Sequence, residues 1–204
     1  MGFNEYIKDK ESFIFELDDV IYPTKDYLLQ VYYLFAQFVE YAEQINASEI
    51  VEGMQKIYAR DGNEGIFEKT ATQFNIPEKY KVNFDLLFLS ARLPLKLLMF
   101  NEVLAFMQEI VLERKKIFLL IDGDPAMQLN KIKQIEWNGL AQYLTVYFTA
   151  EIAPKPSVLA LQQLIEEHSL HKKTMLMIGE NEIDMTCAAE AGVDFLQVHK
   201  LLLS

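Results

Sequence analysis

Groups of carboxylates follow apolar runs at several points in the chain: Glu16, Asp18 and Asp19, then Asp122 and Asp124 around Gly123, then Glu151, then Glu180, Glu182 and Asp184. One cation, Lys155, stands directly before Pro156 in the same part of the pattern. Carboxylates gathered in one crevice repel, and raise one another's pKa, unless something positive joins them. A hard divalent ion with oxygen ligands, Mg²⁺ above all, would supply that charge. Lys155 is the cation placed to meet an anionic substrate. Taken singly, each acid has an ordinary explanation, because Asp and Gly make turns and acids favour helix N-termini. Their joint placement is what points to chemistry.

The elements that must position these residues are legible from hydrophobic periodicity. Ser12-Phe-Ile-Phe-Glu16 is contiguous and apolar, as a buried strand requires. From Tyr27 the period changes, and Leu28, Val31, Leu34, Phe35, Phe38 and Val39 share one helical face. Further helices are expected from Ser48 through Tyr58, over Phe67–Phe74, and from about Leu95 to Glu113, so some 90 residues after the first strand are mostly helical. The second half alternates instead. Strands are expected at Lys116–Ile121, Leu144–Phe148, Thr174–Ile178 and Val193–Val198. Helices stand between them, one opened by Asp124 as N-cap and Pro125, one by Pro156, and one ended by Gly192. Strands separated by helices in this way form right-handed βαβ units and a parallel sheet. The fold class is α/β, a Rossmann-like five-stranded parallel sheet with a mostly helical insertion after the first strand. Ligands of such sheets sit beyond the carboxyl ends of the strands, where the acids fall.

Composition narrows the partners. The 204 residues are 51% hydrophobic, with 30 acidic side chains against 19 basic ones and a formal charge of -11. That balance argues against a nucleic-acid binder and against an anionic membrane surface. Cys187 is the single cysteine, which permits no internal disulfide and fits a reducing compartment. The opening residues lack the apolar core of a signal peptide, and the apolar tract from Leu86 to Phe100 is broken by Arg92, Pro94 and Lys96. A cytoplasmic protein is the expectation.

Four motifs, in order, carry a resemblance to the haloacid dehalogenase-like hydrolase superfamily, nearer its phosphatases with a helical cap after the first strand. The first, a hydrophobic strand followed by DxDx[TV], is matched by Phe15-Glu16-Leu17-Asp18-Asp19-Val20. The second, a strand ending in Thr or Ser, is matched by Ile121-Asp122-Gly123. The third is Lys155-Pro156, and the fourth, GDxxxD before a helix ending in AG, is Gly179-Glu180 through Asp184, then Ala191-Gly192. The resemblance covers essentially the whole chain and implies a core domain of residues 1–21 and 106–204 with a cap of residues 22–105.

It also implies roles. Residue 16 would be the nucleophile forming an acyl-phosphate, and Asp18 the general acid and base. Mg²⁺ would be held by Glu16, the Asp18 carbonyl and Glu180 or Asp184. Residue 121 with Asp122 and Gly123 would cradle the phosphoryl group, and Lys155 would neutralise it. Three positions depart from the pattern. Glu16 moves the nucleophile's carboxylate out by one methylene, roughly 1.3–1.5 Å, and a displacement of about 1 Å can cost on the order of 100-fold. Ile121 removes a hydroxyl donor, and a hydrogen bond to a charged oxygen is worth about 1.5–3 kcal/mol. Glu180 lengthens a ligand to an ion that demands near-ideal octahedral geometry. The expectation is a Mg²⁺-dependent phosphohydrolase of weak or altered turnover on a small phosphorylated metabolite. The alternative is a non-catalytic binding or regulatory protein that retains the metal site.

Other residues have plainer expectations. His168, His171 and His199 are assigned to surface or packing, Cys187 and Trp137 to the core. The aromatics of residues 27–41 are assigned to core packing, with a cleft lining or a homodimer face as alternatives. Arg92 and Lys96 are solvent-facing by default, with substrate contact from the cap as the other reading.

Overall fold

The structure, a computed structural model, describes residues 3–203. The chain divides into two compact units. The sheet unit takes the described residues up to Thr24, Leu97–Leu129 and those from Ile135 onward, and the helical unit takes Lys25–Lys96 with Asn130–Gln134. In chain order, α1 (Asn4–Ile7) and β1 (Ser12–Phe15) precede the helices α2 (Thr24–Glu43), α3 (Ala47–Asp61), α4 (Ile66–Phe74) and α5 (Lys81–Ser90). Then follow β2 (Leu97–Leu98), α6 (Asn101–Leu112), β3 (Lys116–Ile121), α7 (Pro125–Gln134), β4 (Ile135–Glu136) and β5 (Leu144–Phe148). The chain continues with α8 (Leu159–Glu167), β6 (Met175–Gly179), α9 (Glu182–Ala191), β7 (Asp194–Gln197) and α10 (His199–Leu202).

Five strands form one parallel sheet in the order β5-β3-β1-β6-β7, so the expected fold class is found. β1 lies at its centre, and all four of its residues are buried. Its alternation supplies both faces of the sheet. Ile14 joins Phe118, Leu120, Leu161, Leu164, Met175, Met177 and Cys187 in one core cluster. Phe13 and Phe15 lie against Phe106 of α6, with ring centroids 5.7 and 6.1 Å away. Trp137 is buried, as expected. His168 packs on the Phe118 ring with centroids 4.7 Å apart, while His171 and His199 are exposed. No helix among the described residues is long and apolar enough to cross a membrane.

In the helical unit, Phe35, Phe67 and Phe84 form a mutual ring cluster with centroids 4.9–5.8 Å apart. Tyr27 and Tyr32 are fully buried beside them, so three of the six aromatics of α2, with Phe35, are core and Phe38 is half-buried. Tyr33 and Tyr41 are exposed.

Four local expectations are corrected. The helix foreseen from Leu95 begins at Asn101, because Leu97–Leu98 pairs in parallel with Ile135–Glu136 as a separate two-stranded sheet. α5 was not foreseen, since Val82, Leu86, Leu87, Phe88 and Leu89 ring it with apolar residues and hide the helical period, while Phe84 alone is buried. α3 is capped by Asn46, whose side chain accepts from the Glu49 N–H at 3.2 Å, rather than by Ser48. The helix foreseen directly from Pro156 starts at Leu159.

Candidate active site

β1 ends at Phe15, which makes Glu16 the first residue past the strand. Its N–H still donates to the Ile178 carbonyl of β6 at 3.1 Å, so the backbone stays in register while the side chain leaves the sheet. β3 ends at Ile121, and Asp122 follows. There Asp124 Oδ1 accepts from the Met127 N–H at 3.0 Å, which opens α7 as its sequence foretold. β6 ends at Gly179. Asn181 Oδ1 accepts from the Ile183 and Asp184 N–H groups at 2.9 and 3.0 Å, fixing the first turn of α9 and with it the direction of Asp184.

These strand ends bring Glu16, Asp122, Lys155 and Asp184 together. The Lys155 ammonium donates to Glu16 Oε2 and to Asp184 Oδ1, and stands 3.5 Å from Asp122 Oδ2. Glu16 and Lys155 are each 6% exposed and Asp184 is 1% exposed. Glu16 Oε1 accepts from the Leu17 N–H at 2.9 Å. Asp122 Oδ1 accepts from the Lys155 N–H at 3.1 Å and from the Thr149 hydroxyl, tying the lysine's backbone to the strand ends as well.

Burial dominates the electrostatics of Glu16 and pushes its carboxyl up to about 7, against the opposing pull of Lys155 and the Leu17 N–H. Burial alone would lower the Lys155 ammonium. The Glu16, Asp184 and Asp122 carboxylates outweigh it and hold the lysine above its usual value, which favours its charged form.

The same group is suited to a metal ion. Glu16, Asp122 and Asp184 each offer a carboxylate oxygen, all within 4.8 Å of one another. Three hard oxygen donors, two of them buried and Asp122 half-buried, are the chemistry Mg²⁺ prefers, so the residues present fit the ion. The carboxylates outnumber the single ammonium whether or not Glu16 is ionised, and a divalent ion would offset the remaining negative charge.

The remaining sequence-based candidates are placed differently. Asp18 is half-buried; its Oδ1 accepts from the Tyr22 hydroxyl at 2.6 Å and its Oδ2 from Gln128 Nε2 at 3.1 Å. Glu180 is exposed and lies outside the acidic trio, though its N–H donates to Asp184 Oδ2 at 3.2 Å. Ile121 is fully buried and offers no hydroxyl. Gly123 is exposed with φ +101°, a conformation that favours glycine, and a Cβ there would meet Gln128 Nε2 at 3.0 Å.

Three participants escaped the sequence reading. Gln128, 3% exposed, also donates to the Asp122 carbonyl at 2.7 Å and so links the ends of β1 and β3. Tyr22 and Thr149 carry the other two contacts. Each had a faint signal: Tyr22 four residues after Asp18, Thr149 directly after β5, Gln128 one turn into the helix opened by Asp124.

Comparison with known proteins gives the family and the fold. The sequence profile of haloacid dehalogenase-like hydrolases matches residues 13–198. A search of curated proteins finds no match. Among solved structures, a hydrolase from Streptococcus pneumoniae TIGR4 is similar at 17% identity and TM-score 0.54, covering 92% of each chain. A putative phosphoglycolate phosphatase from Lactobacillus plantarum is similar at 12% identity and TM-score 0.55, over 95% of this chain and 88% of that one. The putative HAD-hydrolase YfnB from Bacillus subtilis, solved bound to magnesium, is similar at 12% identity and TM-score 0.59, over 91% and 85%. At such identities the structural likeness is one of fold. The profile match spans most of the sequence and all four motifs, and the chain belongs to the haloacid dehalogenase-like hydrolase family.

Proposed function

We propose that the chain is a phosphomonoester hydrolase of slow turnover, acting on a small phosphorylated metabolite. The observation that carries this reading is the Lys155 ammonium held between Glu16 and Asp184 at the carboxyl end of β1 and β6. Phosphoryl transfer asks a protein mainly for alignment and electrostatic stabilisation, and this group offers a nucleophilic carboxylate beside a fixed cation. Glu16 attacks phosphorus, the ester oxygen leaves with a proton from Asp18, and an acyl-phosphate forms on Glu16. Asp18 then takes a proton from water as that water releases phosphate. Tyr22 and Gln128 orient Asp18 for both steps. Glu16, Asp122 and Asp184 would hold Mg²⁺, which when bound supplies further charge to the phosphoryl oxygens. The phosphatase-type relative from Lactobacillus plantarum and the magnesium-bound one from Bacillus subtilis support the substrate class and the ion.

A second reading, a binding or regulatory protein without turnover, is favoured by Ile121, which leaves that position without a donor for the phosphoryl group. The two separate in one assay: hydrolysis of p-nitrophenyl phosphate and a panel of small phosphomonoesters, with and without Mg²⁺, by the wild type and Asp18→Asn. Hydrolysis is expected, stimulated by Mg²⁺ and reduced at least tenfold by the substitution. A rate indistinguishable from background, or one that Asp18→Asn leaves unchanged, removes the enzymatic reading.

A further inference from the structure

The helical unit contains a second charged feature, remote in chemistry from the acidic cluster. Arg92, Lys96 and Lys133 line one cavity of about 380 Å³ together with Pro94 and Gln134, and no acid lines it. All three cations are exposed, and among the described residues none of them forms an ion pair. The helical unit carries as many basic as acidic side chains, ten of each, so the chain's whole acidic excess lies in the sheet unit. An anion approaching this cavity therefore meets local positive charge.

The backbone beneath the cations is held in place. Gln134 Oε1 accepts from the Leu93 N–H at 2.6 Å, and Gln134 Nε2 donates to the Ala91 carbonyl at 3.0 Å. Asn130 Nδ2 donates to the same carbonyl at 3.0 Å, and Gln30 Oε1 accepts from the Leu95 N–H at 2.8 Å. Three amides on two different segments thus clamp residues 91–95. The clamp fixes the frame that carries Arg92 and leaves the cationic head groups free of backbone partners among the described contacts. Three like charges around one cavity repel until an anion joins them, and a pre-ordered loop lowers the entropy cost of that binding. An arginine fork with two ammonium groups suits a tetrahedral dianion, because the guanidinium matches two oxygens at once.

From these residues we infer that the cavity of Arg92, Lys96 and Lys133 is a binding site for a phosphate-bearing small molecule. The site rests on the helical unit alone and stands or falls independently of hydrolysis at Glu16. The test is a site-resolved NMR titration of the full chain with inorganic phosphate and with pyrophosphate, against sodium chloride at matched ionic strength. Saturable shifts are expected at the amides of Leu93, Leu95 and Lys96, tighter for pyrophosphate. Arg92→Ala with Lys133→Ala should weaken binding at least tenfold and leave the remaining spectrum unchanged. Shifts that fail to saturate, shifts that chloride reproduces, shifts confined to residues near Glu16 and Lys155, or an affinity unmoved by the double substitution would each overturn the site.

Discussion

Gly179 and Asp184 are in such close approach that a Cβ on the glycine would lie 2.6 Å from the Asp184 Cβ and 2.7 Å from its Oδ2. The last residue of β6 must therefore be a glycine for the first turn of α9 to close down on it. That closure directs Asp184 at Lys155. Gly179→Ala is expected to displace the turn, costing about 1–3 kcal/mol as overpacking does. Divalent-ion binding should weaken with it. Calorimetric titration with Mg²⁺ beside a thermal melt checks both; an alanine variant with unchanged melting and ion affinity would show that the turn adapts without moving the aspartate.

Lys155 is the counter-charge for three carboxylates. Removing one partner of a buried ion pair leaves uncompensated charge and typically costs about 3–5 kcal/mol. Lys155→Met should lower the melting temperature accordingly, and Mg²⁺ should restore more stability to the variant than it adds to the wild type, because ion and ammonium draw on the same oxygens. Equal Mg²⁺ stabilisation of both proteins would separate the metal from this cluster.

The departures from the family pattern have a direct test in reversal. Glu16→Asp, Ile121→Thr and Glu180→Asp, made singly and together, are expected to raise phosphomonoester turnover, with the largest gain in the triple variant. Glu180 is exposed while Asp184 is buried against Lys155, so Glu180→Asp should contribute the least of the three. Steady-state kinetics on one substrate reads the order.

Tyr22 and Gln128 both donate to Asp18. Tyr22→Phe and Gln128→Met keep the volume and remove the donor, and a hydrogen bond to a charged group contributes about 1.5–3 kcal/mol. If the two residues position Asp18, kcat should fall in both variants while KM changes little. A change confined to stability would reduce them to packing.

Cys187 lies buried in the core cluster, its Sγ 3.5 Å from the Ser157 carbonyl, and burial pushes its thiol up to about 11. It should stay unreactive toward a thiol reagent at pH 8 in the native protein and react fully in denaturant. Rapid native labelling would contradict the packing around it.

What could be read in advance divides along physical lines. Contiguous apolar runs announced β1, β3 and β6, the inner strands of the main sheet, because a central parallel strand is buried on both faces, as Phe13, Ile14 and Phe15 are. Asp124 and Gly192 announced helix ends through the backbone groups they satisfy. The choice among acids was not legible. Glu180 and Asp184 are alike in type, and the Asn181 cap together with the close approach of Gly179 turns Asp184 inward while Glu180 stays in solvent. Gln128 reached the site through tertiary placement, since an uncharged amide carries no chemical signature in a sequence. The helix α5 was hidden by apolar residues on its exposed side.

The proposed reaction requires Glu16 to receive the phosphoryl group. Rapid quenching during turnover of a labelled phosphomonoester, followed by peptide mapping, measures this directly. Label on the peptide containing Glu16, lost in Glu16→Gln together with turnover, is the expected result. Turnover that persists in Glu16→Gln, or steady hydrolysis with no label at that residue, would contradict it.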